Sequence, residues 1–298
     1  MSLKNYLAEK KQIVDAALDA YLNESAVYPP TIVKAMKYSL DAGGKRIRPV
    51  LMFAAAEAVA GPSEELTKSV LPFACAMEMI HTFSLIHDDL PCMDDDDLRR
   101  GKPTNHKVFG EAIAVLAGDG LLAEAFRIMA AHHNAVPVER RLEVLCDMAV
   151  ATGARGMVGG QVIDLESENK KITVNELEHL HELKTGALLV NSVVSGAKLA
   201  GATAAQIGAM ETYGDSVGLA FQIADDLLDI EGTTEELGKP AGSDVENHKS
   251  TFPALLGKEE SRAQAQALMA QAIESLAMFQ PRHSILAELA HYIVERKS

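Results

Sequence analysis

Along the chain, apolar residues recur at three- and four-residue steps through stretches rich in Ala, Leu and Met. That spacing marks amphipathic helices with one buried face, whereas the alternation expected of strands is scarce. It predicts helices near residues 3–23, 29–40, 46–60, 65–91, 108–132, 138–156, 174–199, 203–231, 261–277 and 284–296. Gly- and Pro-containing breaks separate them: "DAGGKRIRP", "AGPSEE", "DLRRGKPTN", "AVPVE", "MVGGQVID" and the long "GTTEELGKPAGSDVENHKSTFP". No repeat, low-complexity tract or interdomain linker interrupts the series. The expectation is an all-α chain forming a single domain over residues 1–298, with a long loop before its C-terminal helices.

Two of the helices carry carboxylates that a packed face does not explain. In the fourth, Phe73, Met77, His81, Ser84 and Asp88 follow one another at steps of four or three and form one stripe. The stripe passes from apolar through imidazole and hydroxyl to carboxylate, like the wall of a cavity that turns ionic. Asp88 and Asp89 end this helix, Pro91 helps to break it, and Asp94 to Asp97 follow in a turn. In "FQIADDLLDI", Asp225 and Asp229 stand four apart on one helix face, with Gln222 a turn earlier. Carboxylates about 6 Å apart repel by about 3 kcal/mol at an effective dielectric of about 20, and apolar neighbours raise the cost. A divalent cation removes the conflict, and oxygen ligands favour Mg²⁺ or Mn²⁺ over zinc. Either run alone is ordinarily a solvated face. Two such runs, each ending an apolar helical stretch, point to metal. Whether Asp95, Asp96 and Asp97 bind it or only raise the local negative potential stays open.

Basic residues cluster at the breaks: Lys45, Arg46 and Arg48; Arg99, Arg100 and Lys102; Lys239 and Lys249. Cations beside backbone NH groups at helix starts suit diphosphate. In "ELKTGALL", Lys184 and Thr185 precede Gly186, whose helix penalty makes a kink there plausible. The 48% hydrophobic content supports a large core. The formal charge of −14 argues against nucleic acid as partner. No apolar run reaches the length of a membrane span, and the first residues, "MSLKNYLAEKKQIVD", read as an amphipathic helix. The three cysteines, Cys75, Cys92 and Cys146, lack metal-ligand spacing and suit a reducing cytoplasm.

"GGKRIRP", "DDLPCMDDDDLRRGKPT", "KTGALL" and "GLAFQIADDLLD", in this order and spacing, resemble the trans-isoprenyl diphosphate synthases from end to end. The resemblance implies a bundle of long antiparallel helices around a central cavity, a cytoplasmic homodimer, and Mg²⁺, with Mn²⁺ as a second choice. The implied reaction condenses isopentenyl diphosphate head to tail with dimethylallyl or geranyl diphosphate after the allylic C–O bond ionises. It further implies Asp88, Asp94 and Asp225 as metal ligands, with Asp89 and Asp229 as direct or water-mediated supports. Arg99, Lys184, Thr185, Gln222, Lys239 and Lys249 match positions that hold the allylic diphosphate. Lys45, Arg48, His81 and Arg100 match the metal-free isopentenyl diphosphate site, over which the C-terminal Arg296 and Lys297 would fold.

Phe83 stands five residues before Asp88, about 7.5 Å deeper along the helix. Helical geometry supports its depth but not its direction. An aromatic there, together with the two-residue longer "DDLPCMD", is typical of the family's bacterial farnesyl diphosphate (C15) synthases. The alternatives are geranylgeranyl diphosphate (C20) synthesis and a non-catalytic regulatory subunit, which would be expected to have lost an aspartate motif or an arginine. An HD phosphohydrolase leaves Asp225 and the arginines without a role. A terpene cyclase expects a different second motif, and an EF-hand lacks its Gly and closing Glu.

Overall fold

Helix formation follows the apolar periodicity because each amphipathic face is buried against another helix. A computed structural model describes residues 1–24, 29–131, 135–168, 170–231 and 250–294. In it, α1 (Leu3–Glu24), α2 (Pro30–Leu40), α3 (Ile47–Ala60), α4 (Glu64–Asp88), α5 (Asn105–Phe109) and α6 (Glu111–Ala131) form the N-terminal half. They are followed by α7 (Val138–Thr152), α8 (Met157–Ser167), α9 (Val174–His181), α10 (Ala187–Leu199) and α11 (Ala204–Glu231). The chain then adds α12 (Phe252–Leu256), α13 (Lys258–Ser275) and α14 (Ser284–Val294). The fold is all-α. Its one sheet among the described residues is a two-stranded hairpin, Leu98–Arg99 against Lys102–Pro103.

The fourth helix lies at the centre, packed against α3 and α6, while α10 packs on α3 and α11, and α11 on α13. Ser63 caps α4 by accepting from the Leu66 NH at 3.1 Å, with Glu64 and Glu65 in the first turn. By length and composition alone α4 could cross a membrane, but 83% of its most apolar window is buried inside the protein, which identifies it as a core helix. Phe73 and Met77, the apolar end of the predicted stripe, are fully buried core residues.

Several boundaries differ from those predicted. The segment 108–132 is two helices, because Gly110 between them has φ +82°. The predicted helix 138–156 stops at Thr152. "MVGGQVID", read as a break, is the body of α8. Its glycines serve close approach: a Cβ on Gly160 would lie 2.3 Å from the Lys184 backbone N. "DLRRGKPTN" forms the hairpin, whose two central residues, Arg100 and Gly101, have φ +53° and +74°, matching the twist of a tight two-residue turn. The expected kink in "ELKTGALL" is a π-helical segment, Glu182–Gly186, joining α9 to α10.

Candidate active site

Both aspartate clusters sit toward the C-terminal ends of long helices, where unsatisfied carbonyls already concentrate negative charge. Asp88 is the last residue of α4, and Asp89 follows as its cap. Asp89 is buried, and its Oδ1 accepts from Arg99 Nε at 2.6 Å and pairs with Arg99 Nη2 at 2.5 Å. Arg99 also reaches Asp96 at 3.3 Å. Asp88 accepts from Gln161 Nε2 of α8. Burial pushes the Asp88 carboxyl up to about 6; Asp94 and Asp89 push the same way, while Lys184 and Arg99 oppose. Burial also raises Asp89, against the pull of Arg99. Asp94 is exposed on the turn that follows.

One turn beyond Gln161, Asp164 accepts from Lys184 Nζ at 2.5 Å, so α8 ties the end of α4 to the π segment. Lys184, Thr185, Gln222 and Asp225 then line one cavity of about 210 Å³. Thr185 Oγ1 donates to Gln222 Oε1 at 3.3 Å, and Gln222 Nε2 donates to Asp226 at 3.0 Å. Asp226 is buried and also accepts from the Phe252 NH at 3.0 Å. Among the described residues, the charged groups of this cavity are Asp164, Glu168, Asp225 and Asp226 against Lys184: four carboxylates to one amine. Asp229 is buried on α11, away from this lining.

A second cavity, of about 490 Å³, brings together Lys45, Arg48, His81 and Arg100. Its charged lining is Lys45, Arg46, Arg48 and Arg100 against Glu78, four cations to one carboxylate. Arg46 is committed elsewhere: it donates to Asp15 and Glu78, both at 2.8 Å, and to the Leu40 carbonyl at 2.7 Å. Arg48 is not so engaged, and its Nε is buried with no hydrogen-bond partner. Burial pushes its guanidinium down to about 10. His81 lies well below the usual histidine range because of burial and then of Arg48 and Arg100, so its imidazole is neutral. Arg100 is held by the glycine turn, donating to the Gly43 carbonyl; a Cβ on Gly44 would lie 2.6 Å from its Nη1. Lys45 lies over the Tyr292 ring of α14, at 5.6 Å.

Of the candidate residues, four line the cationic cavity and four the acidic one, and the Asp88 carboxyl feels Lys184. Arg99 stands apart from Lys184, in a small cavity with Asp89 and Arg100. Lys239, Lys249, Arg296 and Lys297 lie outside the described residues. Phe83 is a core residue, its ring edge-on to His87 with centroids 4.9 Å apart. Gln161 and Asp164 were not anticipated; their one signal is two polar residues three apart on one helix face, hidden by the preceding glycines.

Residues 29–282 match the polyprenyl synthetase family. The chain is 48% identical over 295 residues to farnesyl diphosphate synthase of Bacillus subtilis, covering 99% of this chain and 98% of that one. It is 46% identical over 298 residues to geranylgeranyl diphosphate synthase of Cyanophora paradoxa, covering 100% and 97%. Among solved structures, an FPP/GFPP synthase from Zymomonas mobilis superposes with a TM-score of 0.84 at 39% identity, covering 98% of this chain and 100% of that one.

Proposed function

Because the chain belongs to the polyprenyl synthetase family, we propose that it is a prenyltransferase joining isopentenyl diphosphate head to tail to dimethylallyl or geranyl diphosphate, with farnesyl diphosphate as product. One observation carries the assignment of the substrates: two cavities of opposite charge, four carboxylates to one amine beside four cations to one carboxylate. A diphosphate can enter the second directly. It can enter the first only with a cation.

The donor set fits such a cation. Asp88 is half-buried, raised by burial and by two neighbouring carboxylates, and ends a helix whose dipole adds to the negative potential. Hard oxygen donors suit Mg²⁺, with Mn²⁺ second. Asp88, Asp94 and Asp225 would hold the metal, and Asp89 and Asp229 would support it. Bound there, Mg²⁺ supplies positive charge to the departing diphosphate. Lys184, Thr185 and Gln222 hold the allylic diphosphate, joined by Arg99, Lys239 and Lys249. Lys45, Arg48, His81 and Arg100 hold isopentenyl diphosphate, His81 as a neutral donor. The buried apolar face of α4 keeps water from the allylic cation. The proton lost after coupling goes to the departed diphosphate, so no side-chain base is needed.

Two finer points belong to the same reading. Phe83 limits the product to C15 as the floor of the cavity, and the chain works as a cytoplasmic homodimer of one-domain subunits. The exposure of Val115 and Leu116 on α6 agrees with a subunit contact. The test supplies purified protein with labelled isopentenyl diphosphate, geranyl diphosphate and Mg²⁺, and reads chain length after phosphatase treatment. A product that stops at C15, and lengthens in Phe83→Ala, is expected. A C20 product from the unaltered chain would replace the product assignment. Folded protein that makes no product would favour the regulatory subunit.

A further inference from the structure

The aspartate run does not act as one unit. Asp96 pairs with Arg99, and one oxygen of Asp97 takes Lys107 at 2.6 Å. Asp95 adopts φ +52°, a left-handed conformation that Asp and Asn tolerate better than most residues. Together with His106, Asp95 and Asp97 form a cluster: one ring nitrogen and one oxygen from each carboxylate lie within 4.8 Å of one another. Acidic groups alone at a surface mean little. His106 changes that, being 6% exposed with its Nε2 buried and unpartnered.

The hydrogen bonds assign the ring's tautomer. Thr104 Oγ1 donates its single hydrogen to the Asp96 carbonyl at 2.7 Å. Its contact with His106 Nδ1 at 3.2 Å therefore has Nδ1–H as the donor. In the neutral ring this leaves Nε2 as a bare lone pair. Deprotonated carboxylates accept and cannot donate, so neither Asp95 nor Asp97 can satisfy it. A cation coordinated by Nε2 and one oxygen of each carboxylate would satisfy all three. A hydroxyl that receives the far N–H of an imidazole, as Thr104 does here, is also the arrangement that orients a metal-binding histidine.

We propose that Asp95, Asp97 and His106 form a site for a borderline divalent transition cation of the zinc class, separate from the Mg²⁺ clamp. One imidazole nitrogen with two carboxylate oxygens suits zinc better than magnesium, and three protein ligands leave a fourth position to water. The ion would tie the loop after α4 to the start of α5, on either side of the hairpin that carries Arg99 and Arg100. Occupancy would therefore fix the posture of those arginines. The proposal does not depend on the substrate assignment.

The test uses the full chain, stripped by a chelator and titrated with Zn²⁺ alone against a chromophoric competitor. Asp88→Asn combined with Asp225→Asn disables the Mg²⁺ clamp by removing one carboxylate from each of its two helices. One equivalent of Zn²⁺ is expected to bind this double variant as tightly as the unaltered chain. His106→Gln should weaken binding by roughly tenfold or more and abolish the ligand-field bands of the Co²⁺-loaded protein. Should His106→Gln misfold by circular dichroism, Asp95→Asn, on an exposed turn whose backbone Asn tolerates, replaces it with the same expected loss. No bound equivalent, one lost with the Asp88/Asp225 pair, or one indifferent to His106 and Asp95 would overturn the proposal.

Discussion

The acidic and cationic cavities are built by the same means and reach opposite ends. Each is lined from several helices and a connecting segment, and each holds a neutral, half-buried histidine. His181, beside Lys184, is pushed down to about 4 by burial, as His81 is pushed down beside Arg48. What differs is how charge is compensated. In the acidic cavity Lys184 is paired with Asp164, so the one amine is occupied and the carboxylates remain in excess. In the cationic cavity Glu78 is paired with Arg46, so the one carboxylate is occupied and Arg48 keeps a buried donor without a partner. On the proposed reading, two diphosphates would be told apart before either reacts, one by direct contact and one through metal.

The largest break in this contrast would come from Asp225→Asn, which removes a carboxylate from the metal-dependent side. Steady-state kinetics should show kcat reduced about 10²–10³-fold, the scale for losing one electrostatic stabiliser of a leaving group. A fall of only a few-fold would take Asp225 out of the clamp. On the cationic side, Arg48→Gln should raise KM for isopentenyl diphosphate by roughly 10–100-fold, the worth of a charge-assisted hydrogen bond. KM for the allylic substrate should stay unchanged, and equal effects on both would merge the two cavities.

A smaller effect concerns stability. Asp88 binds its proton more tightly in the folded chain, at about 6, than at its ordinary value of 3.8. Its favourable contribution is therefore present below that ordinary value and is lost as pH rises through about 6. Metal-free Asp88→Asn should melt above the unaltered protein at pH 8, by about 1–3 kcal/mol, and match it near pH 4. Gln161 can still donate to the amide oxygen. No difference at pH 8 would mean that the buried charge is already compensated.

Local signals were legible where function and periodicity coincide. Lys184, Thr185, Gln222 and Asp225 lie on two helices whose faces the spacing orients, and all four meet in one cavity. Gln161 and Asp164 were hidden because two glycines read as a break, whereas the second of them, Gly160, lets α8 approach the π segment. Residue type alone does not separate Arg46 from Lys45 and Arg48, and only the family resemblance does so: its partners, Asp15 and Glu78, lie 31 and 32 residues away. Arg99 carries the same lesson, since its engagement with buried Asp89 depends on a hairpin that pattern alone read as a loop. Tertiary partners, not residue type, decide which cation waits for a ligand.

The most direct measurement is calorimetric titration of isopentenyl diphosphate, and separately of a non-reactive allylic diphosphate analogue, each in EDTA and in Mg²⁺. Isopentenyl diphosphate should bind with nearly the same affinity in both, whereas the allylic analogue should bind only with Mg²⁺. Loss of both in EDTA, or retention of both, would contradict a division of the two diphosphates between direct and metal-mediated recognition.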